Sequence, residues 1–289
     1  MITTMNWADY SELVASALRE DLGEAGDVTT LAIFDDQQGA AELVSKDEGV
    51  LAGSELVREV YRRLDPGLRV QFICAEGERF VRGDRIARLE GTVTALLAGE
   101  RVAINFLSFL SGIAGATRRY VDAVASAGAP VPQILDTRKT LPGYRALSKY
   151  AVTIGGGANH RAGLYDMVLI KDNHIDFAGS IGRAVQRVRA RWGDRFRIEV
   201  ECRTLDEVRD ALAAGADLIM LDNMEIETIA AACELVRGGA QIEVSGNIDL
   251  ERVAQRWPPG VDFISIGRIT HSVTATDFSL KMVAADGVE

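Results

Sequence analysis

The sequence is poor in cysteine and has no excess of positive charge. Its three cysteines, Cys74, Cys202 and Cys233, are far apart and odd in number, which argues against a disulfide framework or a zinc site and fits the reducing cytoplasm. The 32 Lys and Arg residues stand against 42 Asp and Glu residues, a formal net charge of −10. Proteins that bind nucleic acid or an anionic membrane need a basic face, so this balance argues against both.

Long apolar runs are also missing. The most apolar stretch, residues 93–116, is interrupted by Glu100 and Arg101, so it does not predict a membrane span. The N-terminal segment has neither a basic region nor an apolar core, so no signal peptide is expected. Hydrophobic residues make up 47% of the 289 residues, enough apolar surface to offset the entropy of ordering about two domains.

The hydrophobic pattern changes along the chain. Before residue 91, alternating runs at 41–46, 68–74 and 85–90 predict strands, and residues 53–64 have the apolar spacing of a helix. These elements predict a small α+β domain, which a helical stretch at 94–126 connects to the rest.

From residue 133 onward, a short apolar strand, a polar residue at its end and an amphipathic helix recur. Strict alternation of strand and helix predicts parallel βαβ units. Six units are present where a complete barrel has eight, so an incomplete α/β barrel is expected. The six predicted strands are residues 133–135, 167–170, 197–200, 217–221, 241–244 and 262–266.

Charged and small polar residues stand where the predicted strands end. In parallel α/β barrels this C-terminal edge carries the active site, and the turn before the second strand supplies further groups. The residues concerned are Asp136, Thr137, Arg138, Lys139, Asn159, His160, Arg161, Lys171, Glu201, Asp222, Ser245, Gly246, Asn247, Gly267 and Arg268.

Four cations of this edge, Arg138, Lys139, Arg161 and Lys171, predict an anion site, because guanidinium and ammonium groups suit carboxylates and phosphates. For any one of them, an ion pair with a neighbouring acid is an equally good interpretation; for four together it is a poorer one. Lys171 has a further alternative as the Schiff-base lysine of an aldolase-like barrel.

Two carboxylates, Glu201 and Asp222, end adjacent predicted strands. Carboxylates in this arrangement can hold Mg²⁺ when phosphates supply further oxygens. Salt bridges to the nearby lysines are the alternative. Both interpretations can hold, with salt bridges in the empty site and Mg²⁺ in the site that contains substrate.

The last two predicted strands end in small residues, which leave backbone N–H groups accessible to a phosphate. These residues are Ser245, Gly246, Asn247 and Gly267, and His271 follows close by. Together with the cations and the carboxylates, they predict an enzyme for a multiply anionic, phosphate-bearing substrate that uses Mg²⁺.

Long segments of the chain resemble the quinolinate phosphoribosyltransferase family, also called carboxylating nicotinate-nucleotide pyrophosphorylase. The most specific are Asp-Thr-Arg-Lys-Thr-Leu-Pro-Gly at 136–143, Gly-Gly-Gly-Ala-Asn-His-Arg at 155–161 and Leu-Tyr-Asp-Met-Val-Leu-Ile-Lys-Asp-Asn-His at 164–174. Further matching segments lie at 20–30, 49–53, 100–114, 149–152, 199–201, 219–224, 244–247 and 266–272.

The resemblance implies a type II phosphoribosyltransferase fold: an N-terminal α/β sandwich over residues 1–110 and an incomplete barrel over 111–272, with 273–289 packing back on the first domain. It implies Mg²⁺-dependent transfer of phosphoribosyl from phosphoribosyl pyrophosphate to quinolinate with decarboxylation, in the de novo biosynthesis of NAD. It also implies a homodimer or an assembly of dimers, whose active sites are completed by Arg101 from the partner subunit.

Carried over by position, the family's site residues acquire roles. Arg138, His160 and Arg161, with Arg101, would bind the two carboxylates of quinolinate, and Lys139 and Lys171 would lie between the two substrates. Glu201 and Asp222 would hold the ribose hydroxyls and Mg²⁺, so these two and the two lysines form the expected catalytic set. The remaining expected substrate contacts, which include those to the 5′-phosphate, are Thr137, Ser245, Gly246, Asn247, Gly267 and His271.

Three alternatives stay open. The first is a relative with another phosphoribosyl acceptor, against which the presence of Arg101, Arg138, His160 and Arg161 argues. The second is a Schiff-base lyase that uses Lys171. The third is a non-catalytic binding module, against which the two carboxylates argue. One departure from the family pattern is Arg268, which stands where a small or apolar residue is more usual. An arginine at this position would alter the contacts to the phosphate.

Overall fold

The computed structural model describes residues 5–283, which divide into two compact units. The first unit comprises residues 5–116, 153–155 and 273–283, and the second comprises residues 117–152 and 156–272.

The helices are a 3-10 helix at Trp7–Tyr10, α1 (Ser11–Leu22), α2 (Val28–Ile33), α3 (Ser54–Leu64), α4 (Val93–Ser126), α5 (Arg145–Ile154), α6 (Asp172–Ala178), α7 (Ile181–Trp192), α8 (Leu205–Ala213), α9 (Ile226–Val236), α10 (Leu250–Val253) and α11 (Arg268–His271). The strands are β1 (Gln38–Ser45), β2 (Gly49–Val50), β3 (Arg69–Phe72), β4 (Arg79–Phe80), β5 (Arg85–Thr92), β6 (Gln133–Leu135), β7 (Val168–Ile170), β8 (Ile198–Cys202), β9 (Leu218–Asp222), β10 (Gln241–Ser245), β11 (Phe263–Ser265) and β12 (Phe278–Val283).

An antiparallel sheet with strand order β12-β1-β5-β3 organises the first unit. The amphipathic α3 belongs to the same unit and buries Leu56, Val57, Val60 and Tyr61, the apolar face that its spacing predicted. The predicted N-terminal α/β sandwich is therefore confirmed.

The C-terminal strand β12 pairs with β1 from Ala40↔Val283 to Ser45↔Phe278, so the described part of the predicted C-terminal return joins the sheet of the first unit. Residues 284–289 of that return lie outside the described residues. The predicted domain boundary at residue 110 falls within the continuous helix α4 and stays a prediction.

Six parallel strands in the order β6-β11-β10-β9-β8-β7 form the sheet of the second unit. The strands from β7 to β11 follow one another in the sheet as they do in the chain, and β6 pairs with β11. β6 and β7 are therefore the two edge strands, and the barrel is open between them. At this opening Ala158 makes an isolated parallel bridge to Leu135 at the end of β6. The predicted incomplete six-stranded barrel is confirmed.

The helix α4 has the length and composition of a membrane span, with a mean hydropathy of 1.4 over its most apolar 18 residues. However, 61% of that stretch is buried inside the protein, as in the core helix of a folded domain. The three cysteines are likewise buried and free, so they form no disulfide framework, as their spacing predicted.

Candidate active site

A cavity of about 690 Å³ lies at the C-terminal ends of the barrel strands. Of the predicted site residues, Asp136 and Asn159 lie outside its lining, and Arg101 is an exposed residue of the first unit; the others line the cavity. The cavity is lined by Thr137, Arg138, Lys139, His160, Arg161, Lys171, Glu201, Asp222, Ser245, Gly246, Asn247, Gly267 and His271 from the predicted set, together with Leu169, Met220, Asn223, Glu243, Ile248, Asp249, Ser265, Ile266 and Arg268.

The barrel strands build this cavity in two layers, because residues i and i+2 of a strand point to the same face. The upper residue of each pair lies within two residues of the end of its strand, and the lower residue stands two positions earlier in the chain. The pairs, lower residue first, are Leu169 and Lys171, Glu199 and Glu201, Met220 and Asp222, Glu243 and Ser245, and Ser265 and Gly267; all of these residues except Glu199 line the cavity.

Lys171 and Glu201 form an ion pair at the ends of β7 and β8. This is the salt bridge that the sequence left open as an alternative for Glu201. Glu201 on β8 lies in register with Met220 on β9, two residues before Asp222. The two carboxylates therefore lie near the ends of adjacent strands of the sheet, as expected from their positions in the sequence.

Asn223 connects Asp222 to the turn after β10. Its side-chain amide donates to Asp222 at 3.0 Å and accepts from Asn247 at 3.1 Å. Gly246 in this turn has φ +98°, and a Cβ there would lie 2.4 Å from Asn223 Oδ1. Only glycine meets both conditions, so a glycine here lets the turn pack against the Asn223 side chain.

At the end of β11, Gly267 lies close to two basic side chains. A Cβ at this position would come within 3.0 Å of Lys139 and 3.2 Å of His271, so the glycine keeps room beside both. The Lys139 carbonyl also accepts a hydrogen bond from Thr270 Oγ1 at 2.7 Å. The predicted phosphate residues of the last two strands are thus brought together with a lysine and a histidine.

The segment 158–161, at the opening of the barrel, is held by a buried ionic network. Asp136 pairs with Lys149, and both side chains are 0% exposed. Asp136 also accepts from Asn159 Nδ2 at 2.7 Å and from the His160 backbone N–H at 2.9 Å, while Lys149 donates to the His160 carbonyl at 2.8 Å. Burial raises the pKa of Asp136 and lowers that of Lys149, against their mutual attraction.

Two guanidinium groups, Arg138 and Arg161, face the cavity beside this segment. Burial, with the nearby charge of Arg138, lowers the pKa of Arg161. Arg145 connects the backbone segments that carry these two arginines, since it donates to the Arg138 carbonyl at 3.4 Å and to the Ala162 carbonyl at 3.3 Å. Two cations held this close to each other favour a bound anion.

The ring of His160 has a protein group at each nitrogen. Nδ1 lies 2.7 Å from the donating backbone N–H of Arg161, and Nε2 lies 3.0 Å from Glu199 and 3.4 Å from Glu243. Burial alone would lower the pKa of His160, and the two carboxylates raise it. Because the Arg161 N–H points at Nδ1, the ring holds its one proton on Nε2. Burial, with the charge of Glu243, raises the pKa of Glu199 to about 7.

Sequence reasoning missed Glu199, Glu243, Asn223 and Arg145. A signal for the two glutamates was present, because each stands two residues before a predicted site residue and therefore on the same strand face. No comparable signal marks Arg145, whose role depends on how two distant loops meet.

Comparison with known proteins identifies the family. The N-terminal domain of quinolinate phosphoribosyl transferase matches residues 27–111, and its C-terminal domain matches residues 113–281. The chain belongs to the quinolinate phosphoribosyltransferase family. This confirms the predicted enzyme class and leaves the Schiff-base lyase without support.

Individual relatives agree over nearly the whole chain. A Bacillus subtilis protein named probable nicotinate-nucleotide pyrophosphorylase (carboxylating) is 42% identical over 282 residues, covering 98% of this chain and 96% of the relative. The chloroplastic nicotinate-nucleotide pyrophosphorylase (carboxylating) of Arabidopsis thaliana is 40% identical, covering 95% of this chain and 83% of the relative. The crystal structure of NadC from Streptococcus pyogenes has a TM-score of 0.93 at 40% identity, covering 98% of this chain and 100% of that one.

Proposed function

We propose that the protein transfers the phosphoribosyl group of phosphoribosyl pyrophosphate to quinolinate. The products would be nicotinate mononucleotide, pyrophosphate and CO₂, as a step of de novo NAD biosynthesis. One observation carries the proposal. A single cavity combines the guanidinium groups of Arg138 and Arg161, the carboxylates of Glu201 and Asp222, and the glycine turn at Gly246.

The charge distribution of the cavity suits these substrates. Quinolinate is a dianion and the pyrophosphate donor is more negative still, so the site has to be locally positive although the chain carries −10. Arg138 and Arg161 would take the carboxylates of quinolinate, since guanidinium forks match carboxylates. Lys139 and Lys171 would lie between the two substrates, and the turn at Gly246 with Gly267 would receive the 5′-phosphate through backbone N–H groups.

The donor set fits Mg²⁺. Glu201 and Asp222 offer hard carboxylate oxygens from adjacent strand ends, and Mg²⁺ is commonly held by one or two carboxylates with substrate phosphates. Bound there, Mg²⁺ would neutralise the charge that builds on the departing pyrophosphate. Lys171 would then exchange its present partner Glu201 for a substrate oxygen.

The chemistry follows from charge placement. As the bond from C1 of the ribose to pyrophosphate breaks, C1 becomes oxocarbenium-like and the pyridine nitrogen of quinolinate attacks it. The resulting pyridinium ring takes up the electron pair left when the C2 carboxylate departs as CO₂. A proton then adds at C2, and the cations of the cavity hold the remaining carboxylate.

We extend the proposal to the assembly and the compartment. The active form would be a homodimer, or an assembly of dimers, in which Arg101 of one subunit reaches the site of the other. The cytoplasm would be its location, which three buried, free thiols support.

The proposal is tested with quinolinate, phosphoribosyl pyrophosphate and Mg²⁺, with nicotinate mononucleotide and pyrophosphate separated by chromatography. We expect equal amounts of the two products from quinolinate and little product when nicotinate replaces it. Product from nicotinate but not from quinolinate would contradict the proposal and favour a relative with a monocarboxylate acceptor.

A further inference from the structure

Two carboxylates occupy the barrel interior directly beneath the cavity, at positions that barrels usually fill with branched apolar side chains. Glu199 on β8 and Glu243 on β10 are both 0% exposed. Buried carboxylates are costly unless a donor or a cation compensates them. Their presence at this depth therefore calls for a role that an apolar side chain could not fill.

The imidazole of His160 is the group that faces them. Its Nε2 lies 3.0 Å from Glu199 Oε2 and 3.4 Å from Glu243 Oε2. Within residues 5–283, neither the four carboxylate oxygens nor His160 Nε2 itself makes a hydrogen bond of regular geometry. The three groups therefore meet in one close ionic contact, with a single ring nitrogen facing both carboxylates.

A metal ion at this cluster is excluded by the other ring nitrogen, although the three ligand atoms lie within 4.8 Å of one another. The backbone N–H of Arg161 points at Nδ1 from 2.7 Å. If Nε2 lost its proton to bind a metal, the neutral ring would carry its proton on Nδ1, where it would oppose that N–H. Nε2 therefore keeps its proton, close to both carboxylates.

We infer that Glu199 and Glu243 are positioning residues, which hold the His160 ring from below and thereby fix Arg161 at the cavity. This inference rests on the proposed function, since Arg161 is there a ligand of quinolinate. His160 is joined to Arg161 through Nδ1 and to Asp136 through its own backbone N–H, at 2.9 Å. The ring is consequently the link between the barrel floor and the backbone from which the Arg161 side chain reaches the cavity.

Two variants separate positioning from simple charge. In Glu199→Gln with Glu243→Gln, the acceptor oxygens stay but the negative charge is lost. In Glu199→Met with Glu243→Met, both the acceptors and the charge are lost. If charge alone mattered, both pairs would bind the anionic substrate more tightly. If positioning matters, the Gln pair should bind quinolinate about as well as the wild type does, and the Met pair should bind it more weakly.

A matched control is available at the opposite end of the same barrel. Asp217 accepts a hydrogen bond from the Ile198 backbone N–H at 2.7 Å and from Arg189 at 3.0 Å. Asp217→Asn therefore removes a strand-bracing carboxylate that lies outside the cavity lining. It reports what a purely structural loss does to binding.

The experiment measures quinolinate binding by calorimetry, KM for both substrates and the thermal midpoint for the wild type and the three variants. We expect the Met pair to weaken quinolinate binding about 10- to 100-fold, with KM for phosphoribosyl pyrophosphate within about twofold and a thermal midpoint at or above that of the wild type. The Gln pair and Asp217→Asn should bind quinolinate within about threefold of the wild type.

Two results would overturn the inference. One is a folded Met pair that binds quinolinate as the wild type does, and the other is an equal weakening in the Met and Gln pairs. If the Met pair fails to fold, the Gln pair and the single Glu199→Met variant decide in the same way. A wild type that neither binds nor converts quinolinate would instead refute the proposed function itself.

Discussion

Lys149 and Asp136 form an ion pair from which solvent is fully excluded, with both side chains 0% exposed. The pair lies next to the end of β6, at the opening of the barrel. It holds Asn159 and the backbone of His160 through hydrogen bonds of 2.7–2.9 Å. At this opening β6 has no strand beside it, and the segment 158–161 is held in place instead by the Asp136–Lys149 ion pair.

This pair gives the first prediction. Asp136→Asn should lower the free energy of unfolding by about 3–5 kcal/mol, because it leaves the Lys149 ammonium buried without its counter-charge. Urea denaturation measures the change. Asp206→Asn, which removes one partner of an exposed pair with Arg209, should cost less than about 1 kcal/mol. Similar small decreases in the free energy of unfolding of both variants would show that another group compensates the buried Lys149 ammonium.

The second prediction concerns the two guanidinium groups of the cavity. Arg138→Ala or Arg161→Ala should weaken quinolinate binding by about 1.5–3 kcal/mol, the cost of a lost charge-assisted hydrogen bond. Nicotinate, with one carboxylate fewer, should lose less. Titration calorimetry with both ligands checks this, and Arg183→Ala on the exposed face of α7 serves as control. Equal losses for the two ligands would contradict the assigned role.

The third prediction concerns the carboxylates at the ends of β8 and β9. Glu201→Gln should raise the Mg²⁺ concentration for half-maximal activity on the order of tenfold, since a neutral oxygen holds a divalent cation less well. Initial rates over a Mg²⁺ series measure this, with the exposed Glu227→Gln as control. An unchanged Mg²⁺ requirement would remove Glu201 from the metal site.

The fourth prediction tests the shared site. Arg101→Ala and Lys139→Ala subunits, each inactive alone, should regain activity when mixed, because a mixed dimer has one site with neither change. Random exchange predicts recovery of about a quarter of wild-type activity. Native mass spectrometry establishes the exchange. No recovery in a sample that contains mixed dimers would show that Arg101 serves the site of its own subunit and would contradict the shared site.

Much of the barrel was predictable because strand and helix differ in period. The β6 bounds agree with the prediction at 133–135, and β8 extends to Cys202, beyond the predicted end at residue 200. The helices between Trp7 and Ile33 were not predicted. For α2 the decisive feature is local: Asp27 caps it by accepting from the backbone N–H groups of Thr29 and Thr30.

The upper layer of the site was predictable for a similar reason, since strand ends of a parallel barrel meet at one edge. The lower layer was predictable only in part: the spacing of Glu199 and Glu243 from Glu201 and Ser245 gives the strand face on which they lie, but not the group that they face. Which interior group they face depends on where the segment around His160 crosses the barrel opening. That crossing is fixed by the tertiary contact of Asp136 with Lys149, which periodicity does not reveal.

The most direct test of the central claim is the release of labelled CO₂ from quinolinate that carries ¹³C in its C2 carboxylate. The proposed reaction predicts one labelled CO₂ for each nicotinate mononucleotide formed, and none when phosphoribosyl pyrophosphate is left out. Product that retains the label, or release of CO₂ without phosphoribosyl pyrophosphate, would contradict the account.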